Sequence, residues 1–291
     1  MSDRSRDVVL VSGATSGIGL ACALELCARG FTVVAGGRDV TTLAALERRA
    51  VTGLVPCRLD VTDADSVELA VRRADALSAG RGLAGIVCNA GVSHLGPLEL
   101  QPIQRLQEML DVNVTGTVRL TQQALPALRR RRGRVVLIGS IAGRSALPFL
   151  GGYSASKHAL EALADALRAE VAPWGIGVAL VESGTIDTPI GDKALASLDA
   201  IAVTPEGEAL YRTAMAAFRR QVTTAIGRAL PPSAVVAAVV HALTAPRPRT
   251  RYLVGREARE RVWLKRLLPD RLHDLAVRMV VGLPARGSHG P

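Results

Sequence analysis

Aromatic residues are scarce in this chain of 291 residues: three Phe, three Tyr and two Trp make up 3% of it. What remains apolar is mostly Ala, Val, Leu and Ile, which suits helices packed on a parallel sheet. The same scarcity leaves no aromatic-interleaved basic platform on which nucleic-acid bases would stack. Cysteine is sparse too. Cys22, Cys27, Cys57 and Cys88 show neither C-x-x-C spacing nor a metal pattern, and the five His (94, 158, 241, 273, 289) are scattered. Neither a disulfide framework nor a metal site is expected, and the thiols read as reduced in a cytoplasmic protein. Long hydrophobic runs are missing. The most apolar stretch, 234–245, is too short to span a bilayer, and the polar residues 1–7 do not open a secretory signal. Lysine is nearly absent, three of 36 basic residues, so the net charge of +10 is an arginine excess. Bulk charge of this kind reads as a solvated basic surface. Without a recognisable reader motif, nucleic acid is not an expected partner.

What is present is alternation. Short apolar runs at 8–11, 31–35, 54–59, 83–88, 134–138 and 176–181 read as buried strands. Helical patterns fall between them, at 18–29, 41–49 (with a Thr cap), 63–77, 103–129 and 154–171, and a helix at 231–245 with a short strand at 252–254 completes the series. Strands alternating with helices imply right-handed crossovers and an α/β, doubly wound parallel sheet of the Rossmann kind. The length fits one such domain, taken as residues 1–254. Residues 189–230 break the rhythm beyond the carboxyl ends of the strands, where ligands sit in open α/β sheets, and read as a helical substrate lid or an ordinary helical excursion.

After the first strand comes Ser12-Gly13-Ala14-Thr15-Ser16-Gly17-Ile18-Gly19. Its glycines permit a tight turn and a close approach of backbone N–H groups to a pyrophosphate at a helix N-terminus. The G-x-x-x-G-x-G spacing resembles that of the short-chain dehydrogenase/reductase family. Further motifs agree in order: Asp60-Val61, Cys88-Asn89-Ala90-Gly91, Asn113 in Asp-Val-Asn-Val, Gly139-Ser140, Tyr153-Ser154-Ala155-Ser156-Lys157, and Glu182-Ser183-Gly184 through Ile186 to Thr188. Two positions depart from the family pattern, Cys88 in place of Asn and Ser183 in place of Pro. The resemblance covers about residues 8–254. It implies that Gly13, Thr15, Ser16, Gly17, Ile18, Gly19, Asp60, Val61, Asn89, Ala90, Gly91, Tyr153, Lys157, Gly184, Ile186 and Thr188 hold a nicotinamide dinucleotide.

The second strand ends in Ala35-Gly36-Gly37-Arg38. Gly37 stands where NAD-preferring relatives carry an acid for the ribose hydroxyls, and the Arg38 guanidinium can clamp a 2′-phosphate, so NADP(H) is the expected cofactor. The basic residue that many NADP-preferring relatives place before the second loop glycine is Ser16 here.

A free Tyr titrates near ~10, too high for efficient proton transfer at neutral pH, and a neighbouring cation lowers that value. Lys157 lies four residues after Tyr153 and so shares its helix face. Ser140, at a strand end, can donate to a substrate oxygen as charge develops. By resemblance, Asn113 anchors a water in the proton relay and Lys157 also holds the nicotinamide ribose. Asn113, Ser140, Tyr153 and Lys157 are the expected catalytic set, with a non-catalytic NADP-binding sensor or scaffold as the alternative.

Ser140 to Arg144, Leu147 to Phe149 and Lys157 to Ala162 resemble hydroxysteroid and retinol dehydrogenases. With the apolar content of 189–230 (Ile190, Leu195, Leu198, Ile201, Leu210, Met215, Phe218), they imply a hydrophobic ketone, aldehyde or alcohol as substrate. His94 reads either as a substrate contact or as a loop residue. The extension 255–291 carries a helical stripe of Leu272, Leu275, Ala276, Met279, Val280 and Leu283 among basic residues. Such a helix touches anionic membrane peripherally, narrows the substrate entrance, or packs on its own domain or on a partner subunit. By resemblance, a homodimer or homotetramer pairs through the helices of 103–129 and 154–171.

Overall fold

A computed structural model describes residues 7–201, 205–281 and 283. Seven parallel strands form one sheet in the order β3-β2-β1-β4-β5-β6-β7. They are β1 (Val8–Val11), β2 (Thr32–Gly37), β3 (Leu54–Arg58), β4 (Gly85–Cys88), β5 (Arg134–Ile138), β6 (Gly177–Ser183) and β7 (Arg251–Val254). The chain winds outward from β1 to β3, then crosses back to place β4 against the other side of β1. The order reverses there, and that switch point opens a crevice at the carboxyl ends of β1 and β4.

Side chains alternate across each strand, and both faces are buried. Val8 and Leu10 pack beneath α3 (Ala64–Leu77), α5 (Gly116–Arg131) and α6 (Gly151–Val171). Val9 and Val11 face α1 (Gly17–Ala28) and α9 (Ser233–Thr244). A third cluster gathers Leu95, Phe149, Leu198, Ile201, Phe218 and Val281 outside the sheet, around α7 (Pro189–Asp199) and α8 (Pro205–Gly227). The 189–230 segment is therefore a helical pair with its own small core.

Two elements differ from the sequence reading. α2 (Val40–Arg48) is capped by Asp39, whose carboxylate accepts from the N–H groups of Thr41 and Thr42, and not by a Thr. The helix expected over 103–129 is three pieces: α4 (Ile103–Leu110), a π turn at Asp111–Thr115, and α5. The widened turn carries Asn113, and π turns recur at functional sites because they displace one residue from the regular ladder.

After β7 the chain forms α10 (Arg256–Leu267) and α11 (Asp270–Val280), with α10 seated against β7 and the turn at Ile141–Gly143. Ala258 and His273 face inward and are buried, whereas Leu272, Leu275 and Met279 are exposed. The reading that buries those three against their own domain fails, because all three are exposed; from α11 it is His273, Ala276, Val277 and the edge residue Met279 that border the large cavity. The side chain of Val280, named with them in the stripe, lies outside the described residues.

Four charged side chains brace β6, β7 and α6 beneath the crevice. Glu182 is fully buried and accepts from Arg144 Nε at 2.7 Å, and Glu161 accepts from Arg251 Nε at 3.0 Å. Burial, and then the adjacent Glu182, push the Glu161 carboxyl up from its ordinary 4.5 to about 7. Between those values the folded chain keeps a proton that the unfolded chain releases, so this group costs stability as pH rises from 4.5 to about 7. Glu161→Gln removes the titration. Urea unfolding at pH 8 should show a gain on the order of 1–3 kcal/mol, since a tenfold change in proton affinity is about 1.4 kcal/mol, and at pH 4.5 almost none. A loss of equal size at both pH values would contradict this assignment.

Candidate active site

The glycine loop is held open by what it touches. Gly13 adopts φ +63°, and a Cβ there would lie 2.9 Å from the Ala90 Cα. Ser12 ties the loop to β4: its hydroxyl accepts from the N–H groups of Asn89 (3.0 Å) and Ala90 (3.1 Å), and the Asn89 amide donates to the Ser12 and Gly13 carbonyls, each at 3.0 Å. Ser16, at the N-cap of α1, makes no side-chain capping bond, and no acidic residue stands in the first turn. The N–H groups of that turn therefore remain available to an anion.

A cleft of about 340 Å³ runs along these strand ends. Gly13, Thr15, Ser16, Gly17 and Ile18 form its floor, and Arg38, Asp60 and Val61 stand at one side. Asn89, Ala90 and Gly91 close the end of β4, while Gly184, Ile186 and Thr188 come from the segment after β6. Ser140, Tyr153 and Lys157 also line it. The residues fit a dinucleotide: a glycine cradle at a helix N-terminus for the pyrophosphate, and an Arg beside it for a phosphate. A Cβ at Gly37 would meet the Thr15 Cγ2 methyl, so a side chain there requires Thr15 to turn.

Two expected site residues stand outside the cleft. Gly19 does not line it; the absent Cβ lets α1 lie against the Gly13 carbonyl oxygen and the Asn89 amide. Asn113 is buried behind it. Its Oδ1 accepts from the Val92 N–H at 2.8 Å, and its Nδ2 donates to the Val92 carbonyl and to Ser156 Oγ, each at 2.9 Å. The side chain thus clamps the loop after β4 to α6. Sequence reasoning missed Ser12, which partners residues some 75 positions away, and Lys193 of α7, which reaches the cleft beside Thr188. No local pattern points to either.

Lys157 is buried and donates to the Ile138 carbonyl at 2.9 Å, with its Nζ 5.6 Å from the centre of the Tyr153 ring. Burial pulls the ammonium down to about 8. Burial also raises the Tyr153 phenol above its ordinary value, an effect that a hydrogen bond with Ser140 partly offsets. In the free protein desolvation outweighs the Ser140 hydrogen bond, which favours the protonated phenol, the form that donates a proton to a carbonyl oxygen. Burial drives the thiols of Cys22 and Cys88 up to about 12, which leaves them inert as nucleophiles.

A second cavity, of about 1040 Å³, opens beside the first. The two share Ser140, Tyr153, Gly184, Ile186 and Ile190, so the phenol stands at their junction. Leu95, Leu147, Leu150, Phe218, Val222 and Ile226 make its walls largely apolar. Of the apolar residues expected from 189–230, Ile190 and Phe218 line this cavity; Leu198 and Ile201 form the core of the helical pair, and Leu210 faces solvent. His94 turns away from it toward Glu108 Oε2, at 2.8 Å, and is a loop residue.

A family model described as short chain dehydrogenase matches residues 7–198. Curated relatives include retinol dehydrogenase 5 of Mus musculus, 35% identical over 96% of this chain and 90% of its own length. Human 17-beta-hydroxysteroid dehydrogenase type 1 is 38% identical over 85% of this chain and 77% of its length. The NADPH-dependent 3-dehydrocapnine reductase of Ornithobacterium rhinotracheale is 34% identical over 91% of this chain and 94% of its length. Among solved structures, a short chain dehydrogenase from Burkholderia cenocepacia in complex with NADP superposes with a TM-score of 0.71, at 26% identity over 92% of this chain and 96% of that one. The fold is shared with a Burkholderia phymatum enzyme in complex with NAD, TM-score 0.77 at 23% identity, over 100% of this chain and 99% of that one. With the model spanning most of the chain and relatives of this identity along nearly all of it, this protein belongs to the short-chain dehydrogenase/reductase family.

Proposed function

We propose that this oxidoreductase is NADP(H)-dependent and interconverts a hydrophobic ketone or aldehyde with its alcohol. The observation that carries the reading is the position of Tyr153 and Ser140, at the boundary between a dinucleotide cleft and a large apolar cavity. The cofactor, when bound, supplies or accepts the hydride. The chain does the rest. Ser140 and Tyr153 hydrogen-bond the reacting oxygen, and Tyr153 gives it a proton in reduction or takes one in oxidation. Lys157 keeps positive charge beside the phenol and holds the cofactor ribose, and Asn113 positions the Val92 loop and α6. The apolar walls of the cavity exclude water and favour a steroid-, retinoid- or lipid-like body.

The test is a panel of aldehydes and ketones of rising apolar size with purified protein and NADPH, followed by nicotinamide absorbance. The kcat/KM should rise with apolar area buried, at roughly 25 cal/mol per Å². Equal rates for small polar and large apolar carbonyls would contradict the hydrophobic assignment.

The same proposal includes a homodimer or homotetramer and a peripheral membrane contact. Trp263, Leu267, Leu272, Leu275 and Met279 are exposed on α10 and α11, beside Arg259, Arg266 and Arg271. Apolar side chains insert at the interface, and each nearby cation adds roughly 1 kcal/mol on an anionic surface. The intact protein should co-sediment with phosphatidylserine vesicles at low salt, and Leu267→Ser with Met279→Ser should release it. Equal recovery in the supernatant with and without vesicles would rule the contact out. Among the described residues no helix is long and apolar enough to cross a membrane.

A further inference from the structure

The walls of the large cavity are largely apolar, and a buried polar cluster lies where the last two helices close it. Arg261 of α10 and His273 of α11 meet at Ser145. His273 is buried, and its Nε2 lies 3.3 Å from the buried Ser145 hydroxyl. Arg261 donates from Nη2 to the Ser145 carbonyl at 3.4 Å, and its nearest carboxylate, Glu257 Oε1, stands 3.8 Å away, beyond hydrogen-bonding distance. A guanidinium has five N–H donors, and here a single long bond and a loose ion pair occupy them. Its side chain is only 24% exposed, and burial pulls it below its ordinary value. A largely buried cation so poorly partnered is costly unless something else pairs with it.

The other charged residues lining the cavity are arginines apart from Glu257. Arg220 and Arg228, from α8 and the turn after it, line the same cavity, and neither forms an ion pair among the described residues. Three arginines thus line the cavity, Arg261 largely buried and Arg220 and Arg228 exposed, and Glu257 is the only carboxylate among its described lining residues. A purely neutral substrate would leave the largely buried Arg261 with only its long bond and loose ion pair.

We infer that the substrate cavity takes an amphipathic anion: a hydrophobic carbonyl compound or alcohol bearing a carboxylate-like group, held by Arg261 beside the Ser145–His273 pair. The inference deepens the proposed function, since it rests on this cavity being the substrate site. The walls of the cavity hold the body, and Arg261 holds the acid in the bidentate fashion that planar guanidinium and carboxylate groups favour.

The test compares a medium-chain oxo acid with its methyl ester, which differ chiefly by the charge. With NADPH, kcat/KM for the acid should exceed that for the ester by about tenfold or more, as a charge-assisted pair in a desolvated site would give. Arg261→Met should collapse that ratio toward one, and Glu257→Gln should raise it by removing the competing carboxylate. The ratio is internal to each variant, so a general loss of folding or activity does not mimic the result. Binding of decanoate and of methyl decanoate, which carry no reducible carbonyl, is measured by calorimetry alongside. If neither oxo compound turns over yet decanoate binds and Arg261→Met weakens it, the carbonyl chemistry fails while the anion site stands. A wild-type ratio near one with no preference for decanoate overturns the inference and leaves the oxidoreductase reading intact.

Discussion

Tyr153→Phe should abolish turnover while NADP(H) still binds. The substitution keeps the ring at the junction of the two cavities and removes only the hydroxyl, so the contact of Lys157 with the Ile138 carbonyl on the cofactor side is undisturbed. The lost group is a phenol that burial holds protonated at neutral pH, ready to meet the oxygen of an incoming carbonyl. Positioned acid/base groups contribute about 10²–10⁴-fold, so single-turnover rates should fall by at least ~100-fold. NADPH fluorescence titration of the variant should give an affinity close to that of the unaltered protein. Activity above about a hundredth of wild type would assign the proton to another group.

The second large effect concerns the cofactor. Wild type should prefer NADPH to NADH, and Arg38→Ala should raise KM for NADPH while leaving NADH almost unchanged. Arg38 stands at the cleft, and Gly37 before it brings no carboxylate. A bidentate guanidinium–phosphate pair is worth about 1.5–3 kcal/mol, or roughly 10–150-fold in kcat/KM, on the scale of charged hydrogen bonds. A protein that uses NADH better than NADPH would refute the role given to Arg38.

The sheet and most of the cofactor cleft are legible in the sequence, because both are written in local signals. Four-residue apolar runs such as Val8–Val11 mark strands buried on both faces, and glycines at 13 and 17 mark positions where φ is positive. Tyr153 and Lys157 share a face through helix periodicity alone. What escapes depends on distant partners. At the break over Asp111–Thr115, Asn113 reaches across to Val92, a contact that Gly116 and Pro126, the helix-weakening residues within 103–129, do not announce. Ser12 looks like an ordinary turn residue until β4 arrives beside it. The apolar stripe of α11 is visible, but which side of the helix faces inward is decided by His273 finding Ser145, 128 residues earlier. The arginines at the cavity are legible only as bulk charge, since charge counts carry no information about depth.

The central claim is that hydride and proton pass to one carbonyl group at the Tyr153 junction. Its most direct test supplies NADPH carrying deuterium on the transferable face of the nicotinamide, together with a hydrophobic ketone, and reads the alcohol by mass spectrometry. Each turnover should leave one deuterium on the carbinol carbon, and Tyr153→Phe should form almost no labelled alcohol. Tight NADPH binding without any label transfer across the whole carbonyl panel would contradict the account and identify the protein as a non-catalytic NADP-binding sensor or scaffold.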